Sequence, residues 1–203
     1  MTHDESNSST LCEKFSPVWS AADVTEAVDL LRVFSSRLGA AGIDYAMVWG
    51  SCLGVVRHRG FVPWDDDMDV AVPQHEFANA MELFDGDPHY CMEKDHNPVK
   101  LGSLFRLGHC GKRTPFIDVM QDNPLTNRVV GLSVSAVPLF PSVAAEFDGV
   151  GTVRLPHDTL GHLQHNYGAS WNASCVSTVD PEAHRTVQAR APTHPARSAR
   201  ANV

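Results

Sequence analysis

Four aspartates stand within one short stretch of the chain, GFVPWDDDMDVAVP at residues 60–73. Three of them are consecutive, at Asp65, Asp66 and Asp67, and the fourth is Asp69. Carboxylates this close repel one another, so we expect a cation nearby to neutralise them. Asp67 and Asp69 are two residues apart and precede the apolar run 70–72, which is typical of a buried strand on which both side chains point to one face. The stretch therefore predicts a cation site, with an acidic loop in solvent as the alternative.

The spacing of these carboxylates suits two kinds of cation site. In a calcium loop, the first, third, fifth and twelfth positions would be filled by Asp65, Asp67, Asp69 and Glu76. The sixth position of such a loop requires glycine, and this chain has Val70 there. In a magnesium or manganese site for phosphoryl transfer, the Asp-x-Asp pair is joined by a third carboxylate on a neighbouring strand. Asp118, which lies between apolar residues in FIDVM, is the third carboxylate in this hypothesis. The residues favour this second site, in which Asp65 and Asp66 either support the metal ligands or lie at a solvated edge.

The surrounding pattern predicts the elements that hold these side chains. Apolar residues recur at helical spacing over 20–42, and Ser20 and Asp23 form a capping pair at the start. The short apolar run DYAMVWG predicts a buried strand that stops at Gly50, and free N–H groups in the helix or turn that begins at Gly50 and Ser51 would suit a phosphate. Further strands are predicted in MDVAVP, HYCME, GSLFRLG and PFIDVMQ, and helices in QHEFANAMELF and DTLGHLQHNYG. The pattern assigns no element to 124–146.

Composition and charge narrow the class of protein. A chain of 203 residues with 43% hydrophobic and 20% charged residues suits one globular domain, predicted over 20–172. A flexible lead-in is predicted at 1–19 and a disordered, arginine-containing tail at 173–203. The net charge of −8 argues against binding to nucleic acid or to an anionic membrane, because both require a basic surface. No apolar run approaches the roughly 20 residues of a membrane span, so no membrane span is predicted.

Cysteines and histidines offer other candidate sites. The five cysteines are widely spaced without a Cys-x-x-Cys pair, so the sequence predicts neither a disulfide framework nor a zinc knuckle and indicates a reducing, cytoplasmic compartment. Cys52 is expected to be a packed thiol, since no His–Asp pair that would activate it can be placed. His157, His162 and His165 cluster in one segment, where surface or lining histidines are favoured over zinc ligands. His58 is expected to shape its loop or contact phosphate.

The stretch GSCLGVVRHRGFVPWDDDMDVAVP closely resembles the signature of the LicD family. This family includes bacterial phosphocholine transferases and the fukutin-type ribitol-phosphate transferases, within the nucleotidyltransferase superfamily. The matching residues are Gly50, Ser51, Leu53, Gly54, Arg57 and the run Gly60–Asp69. Weaker similarity continues at 99–101, 116–120, 147–156 and 167–171.

The resemblance implies an α+β fold, with a nucleotidyltransferase-like mixed β-sheet flanked by helices. It also implies an enzyme dependent on Mg²⁺ or Mn²⁺ that moves a phospho-alcohol from a CDP-activated donor to a sugar hydroxyl of a glycan or lipopolysaccharide, with release of CMP. The residues it implies for metal binding and catalysis are Asp67, Asp69 and Asp118. Those it implies for the donor's phosphates are Gly50, Ser51, Arg57 and Lys100. Asp118 either ligates the metal or takes the acceptor's proton.

Two other functions stay open at this point. One is a nucleotidyltransferase that passes a whole nucleoside monophosphate to a small molecule; that class shares Gly-Ser and Asp-x-Asp but not the GFVPWDDD stretch. The other is a non-catalytic relative that keeps the nucleotide and metal pocket for binding. The presence of all three carboxylates favours an enzyme.

Overall fold

A computed structural model describes residues 17–94, 104–123, 128–129, 132–133, 137–172, 174–175 and 187–188. The predicted flexible lead-in at 1–19 and the predicted disordered tail at 173–203 lie almost entirely outside these residues. Lys100, a predicted phosphate contact, also lies outside them.

Among the described residues, helices and short strands alternate in the first half, whereas the second half consists mostly of strands. The helices are α1 (Ala21–Ala41), α2 (Trp49–His58), α3 (Phe77–Glu82) and α4 (Thr159–Tyr167), with a 3₁₀ turn at Gln74–Glu76. The strands of the first half are β1 (Ala46–Met47), β2 (Met68–Pro73) and β3 (Tyr90–Lys94). The later strands are β4 (Leu104–His109), β5 (Phe116–Asn123), β6 (Arg128–Val129), β7 (Leu132–Ser133), β8 (Val143–Phe147), β9 (Gly151–Leu155), β10 (Ser174–Cys175) and β11 (Val187–Gln188).

The main sheet has the strand order β1-β2-β5-β4-β3, and β6 and β7 continue it beside β5. Strands β2 and β5 are parallel, whereas β1 pairs antiparallel with β2, and β4 pairs antiparallel with both β5 and β3. Strands β8 and β9 form a separate hairpin. The predicted α+β fold with a mixed sheet flanked by helices is confirmed.

The two faces of this sheet have different surroundings. On one face Val70, Phe105 and Ile117 join the main hydrophobic core with the buried side of α1. Alternate residues point to the other face, where Asp69 pairs in register with Asp118 across β2 and β5. The carboxylates therefore lie on the face opposite the main core, and the apolar residues between them hold the strands in place.

Helix α1 begins at the predicted capping pair. The Asp23 N–H donates to Ser20 Oγ at 3.3 Å, and the Ser20 N–H donates to Asp23 Oδ2 at 2.9 Å. Gly42 ends the helix with φ 71°, a backbone conformation that favours glycine. Ala27, Leu30, Leu31, Phe34 and Leu38 are its buried residues, which agrees with the predicted helical spacing.

Cys91 and Cys110 form a disulfide, so the prediction of no disulfide is wrong. The two cysteines are 19 residues apart in the chain. The antiparallel pairing of β3 with β4 places Cys91 opposite Gly108, and the Cys110 N–H donates to the His89 carbonyl. Strand pairing, which cysteine spacing alone does not reveal, therefore brings the thiols together. Cys52 is a buried free thiol.

Among the described residues, no helix has both the length and the apolar character that a membrane crossing needs.

Candidate active site

Three of the predicted carboxylates converge at the start of the parallel strand pair. Asp69 and Asp118 are register partners on β2 and β5, and Asp67 directly precedes β2. Ligand oxygens of Asp67, Asp69 and Asp118 all lie within 4.8 Å of one another. Asp65 and Asp66 form a second group with Asp67 at the same spacing. The structure thus brings together all five of the aspartates that the sequence singled out.

The electrostatics of this cluster favour a bound cation. Burial first, and then the charges of Asp65, Asp66 and Asp118, raise the pKa of Asp67 to about 7. Burial and the charge of Asp66 raise the pKa of Asp65 to about 6. Both shifts mean that the ionised carboxylates are insufficiently stabilised by the protein alone, so a cation placed among them would bind favourably.

Arg106 is a member of the site that the sequence analysis did not identify. It lies on β4 directly opposite Asp118, and its Nε and Nη2 donate to the two carboxylate oxygens at 2.9 and 3.2 Å. The guanidinium stacks over the Phe116 ring, 3.7 Å from its centroid. This bidentate pair orients the buried Asp118 carboxylate. The sequence does contain a signal for this residue, because Arg106 is the single charged residue in the apolar run GSLFRLG. A charged residue in a buried strand usually has a partner of opposite charge.

The predicted phosphate turn is the first turn of α2. The helix begins at Trp49, so the predicted strand before Gly50 is shorter than expected, with only Ala46–Met47 in β1. A Cβ on Gly50 would lie 2.2 Å from Asp65 Oδ2, so only glycine fits beside that carboxylate. The hydroxyl of Ser51 accepts a hydrogen bond from the Asp69 N–H at 2.8 Å. Ser51 therefore fixes α2 against the start of β2, next to the carboxylates.

His162 on α4 supports this turn from the other side. The side chain is fully buried, and its Nε2 accepts a hydrogen bond from the Trp49 N–H at 3.1 Å. Trp49 has φ 46°, a strained conformation for a residue with a side chain, and the hydrogen bond holds it at the helix start. Burial, and then the charge of His165, lowers the pKa of His162 to about 4, so the ring is neutral at pH 7.

The three clustered histidines differ in exposure, and Cys52 packs inside the core. His157 and His165 are exposed, and among the described residues the three histidines form no group that could hold a metal. The Cys52 thiol is fully buried, and burial raises its pKa to about 12, so it is a packed, unreactive thiol.

Two other basic side chains of the predicted site lie on α2. Burial lowers the pKa of Arg57, whose Nη1 donates to the Trp171 carbonyl at 3.5 Å. His58 meets the edge of the Trp64 ring at 6.2 Å between ring centroids, and burial lowers its pKa.

Tyr167, at the end of α4, is a further neighbour of the acids. Burial first, and then the charges of Asp65 and Asp69, raise its pKa, so it keeps its proton as a hydrogen-bond donor.

Part of this chain is similar in sequence to known proteins. Residues 42–130 match the family model described as LicD/FKTN/FKRP, nucleotidyltransferase domain. The lipopolysaccharide cholinephosphotransferase LicD of Haemophilus influenzae is 32% identical over 105 residues, which cover 45% of this chain and 40% of that protein. The human ribitol-5-phosphate transferase FKTN is 23% identical over 154 residues, which cover 71% of this chain and 33% of that protein. The matches therefore span less than half of either relative.

Among solved structures, the chain is similar to ANT(2")-Ia in complex with adenylyl-2"-tobramycin, with a TM-score of 0.45 and 11% sequence identity. The superposition covers 64% of this chain and 68% of that one. The family match includes the first turn of α2, the aspartate cluster and Asp118. Residues 42–130 of this chain are therefore similar to the nucleotidyltransferase domain of the LicD/FKTN/FKRP family.

Proposed function

We propose that this domain transfers a phospho-alcohol, of the phosphocholine or ribitol-phosphate type, from a CDP-activated donor to a sugar hydroxyl of a glycan. The family match supports this class of reaction, as do relatives named as a cholinephosphotransferase and a ribitol-5-phosphate transferase. The observation that carries the proposal is the convergence of Asp67, Asp69 and Asp118, whose carboxylate oxygens lie within 4.8 Å of one another. These oxygens stand beside the first turn of α2, where N–H groups suit a phosphate.

The three carboxylates fit a divalent cation, Mg²⁺ or Mn²⁺, as the cofactor. Carboxylate oxygens are the ligands that these hard cations prefer. The raised pKa of Asp67 supports the same assignment, because a bound cation would stabilise the ionised form that burial and neighbouring acids disfavour. When bound, the metal would neutralise charge on the donor's diphosphate and on the leaving CMP.

The residues around the carboxylates have separate roles in this proposal. Gly50 leaves room for the Asp65 carboxylate to lie against α2, while Ser51 keeps Asp69 in position. Asp118 lies on the side of Asp69 away from α2, and Arg106 orients its carboxylate. There it can ligate the metal or take the proton of the attacking hydroxyl, as the new phosphorus–oxygen bond forms and the bond to CMP breaks.

Calorimetry tests this proposal directly. The intact chain is titrated, with and without Mg²⁺, with CDP-choline, CDP-ribitol, CDP-glycerol and CTP. We expect one CDP-alcohol to bind in a Mg²⁺-dependent manner and more tightly than CTP. Asp67→Asn and Asp69→Asn should each weaken that binding at least tenfold and abolish transfer. Asp85→Asn, which removes an exposed carboxylate outside the site, is the matched control.

Each alternative function gives a different result in the same titrations. Preferential binding and turnover of CTP would indicate a nucleotidyltransferase instead. Donor binding without transfer to any sugar would indicate a binding relative. If both variants at Asp67 and Asp69 kept full Mg²⁺-dependent binding and activity, the assignment of the site would be wrong.

The compartment in which the domain works stays a prediction. The sequence indicated the cytoplasm, but the Cys91–Cys110 disulfide weighs against a reducing compartment, since such bonds persist mainly in oxidising ones.

A further inference from the structure

A cavity of about 180 Å³ lies beside the carboxylates, between β3, β4 and the turn that joins β4 to β5. It is separate from the phosphate turn of α2. In the strand order β1-β2-β5-β4-β3, α2 begins beside β1 and β2, whereas the cavity lies on the β4 and β3 side of Asp118. Arg106 connects the carboxylates with the cavity, because it pairs with Asp118 and also lines the cavity.

The cavity opens on the same face of the sheet as the carboxylates. Glu93 on β3 is the register partner of Arg106, which is in turn the register partner of Asp118, so all three side chains share one face. Neighbouring strands are about 5 Å apart, so β3 is about 10 Å from Asp118 across the sheet. One ligand of sugar size could therefore reach from Asp118 into the cavity.

The charge of the cavity lining is positive, although the whole chain has a net charge of −8. Three cations line the cavity, Arg106, Lys112 and Arg113, against the single carboxylate of Glu93. Lys112 is already paired with Glu26. Arg113 is exposed, and no ion pair joins it to any residue that the structure describes. Arg106 uses Nε and Nη2 for Asp118, and its Nη1 forms no hydrogen bond within the described residues.

From this arrangement we propose that the acceptor is an anionic sugar, and that its phosphate or carboxylate group binds in this cavity against Arg113 and Arg106. The inference rests on the proposed function, and it names the class of acceptor. A hydroxyl of the sugar would then lie at Asp118, on the opposite side of the carboxylates from the donor's phosphates. An anionic group is favoured because unpaired guanidinium N–H groups bind phosphate and carboxylate oxygens with charge-assisted hydrogen bonds.

Binding measurements on the intact chain, without donor and without metal, test the cavity itself. The probes are inorganic phosphate, glucose 6-phosphate, glucuronic acid and neutral glucose, measured by calorimetry or by NMR shifts at Gly111–Arg113. We expect glucose 6-phosphate or glucuronic acid to bind, glucose not to bind, and Arg113→Gln to weaken binding at least fivefold. Arg59→Gln removes the same charge from an exposed arginine that directly follows α2, and it should leave binding unchanged.

Three results would overturn the inference. The first is that glucose binds as tightly as the anionic sugars, and the second is that the Arg113→Gln and Arg59→Gln variants have equal affinities for the anionic sugars. The third is that CMP displaces phosphate, which would place the anion in the donor site. The comparison of the two anionic sugars decides between phosphate and carboxylate as the recognised group.

A transfer assay separates this inference from the proposed function. With an active CDP-alcohol donor, Arg113→Gln should raise the KM for the anionic sugar at least fivefold and change kcat little. Absence of transfer to every acceptor, with anion binding still dependent on Arg113, would refute the proposed function and the acceptor role together while leaving an anion site in the cavity.

Discussion

Acidification should destabilise the protein through His162, because this buried ring takes a proton readily only after unfolding. Burial lowers its pKa to about 4 in the folded chain, against 6.5 for an ordinary histidine. Above pH 6.5 the ring is neutral in both the folded and the unfolded chain, so its lowered pKa does not change the free energy of unfolding. As the pH falls from 6.5 to 4, the unfolded chain binds a proton that the folded chain does not. That difference corresponds to roughly 3 kcal/mol of stability lost over this interval.

The geometry explains why the folded ring resists protonation. Nε2 accepts the Trp49 N–H, so the added proton would have to replace that hydrogen bond. The ring has no exposed surface through which water could solvate the imidazolium. Loss of the bond would also free the first turn of α2, at Trp49 and Gly50.

Urea unfolding of the natural chain and of His162→Gln, at intervals between pH 7 and pH 4, measures this effect. The glutamine oxygen can accept the Trp49 N–H but has no proton equilibrium, so the variant should lose about 1 kcal/mol at pH 7 through imperfect packing. Its stability should then fall by roughly 3 kcal/mol less than that of the natural chain between pH 6.5 and pH 4.

Other titrating groups are shared by the two proteins and cancel in the comparison. The raised pKa values of Asp65 and Asp67, about 6 and about 7, act in the opposite direction, because the folded chain binds these protons more readily as the pH falls. His157→Gln, at an exposed histidine, is the control. Parallel stability curves for the natural chain and His162→Gln would refute the reasoning.

Three further predictions concern the carboxylates and their partners. Gly50→Ala places a Cβ 2.2 Å from Asp65 Oδ2, so we expect at least tenfold weaker donor binding by calorimetry, and an unchanged affinity would contradict the close approach. Asp67→Asn removes a carboxylate whose ionised form is disfavoured by burial and by neighbouring acids, so thermal melting without divalent cations should show a Tm a few degrees higher, although transfer is lost. A lower Tm would contradict this electrostatic destabilisation. Arg106→Gln leaves the buried Asp118 without its ion pair, which should cost about 2 kcal/mol in urea unfolding, and a cost near zero would contradict a role for the pair.

The central part of the site could be predicted from the sequence because its signals are local. Asp67 and Asp69 have the two-residue spacing of a strand, and apolar residues follow directly. Asp118 sits between apolar neighbours, which indicates a polar position in an otherwise buried strand. Only the pairing of β2 with β5 was needed to complete the convergence, and the family resemblance supplied that expectation.

The remaining parts depend on contacts between distant segments. Arg106 reaches Asp118 only because β4 pairs with β5 in one register, and a sequence pattern does not fix register. His162 caps α2 from 113 residues away in the chain. The Cys91–Cys110 bridge likewise follows from strand pairing, since the spacing of the two cysteines matches no local motif.

The register of β2 against β5 also constrains how sequences of this kind can change in length. Side chains alternate between the two faces, so a single inserted or deleted residue within 68–73 or 116–119 would turn a carboxylate toward the main core and an apolar residue toward the ligand. Either change would destroy both the core and the site at once. Evolutionary insertions and deletions are therefore expected in the segments between these strands, while the strand lengths up to Asp69 and Asp118 stay fixed.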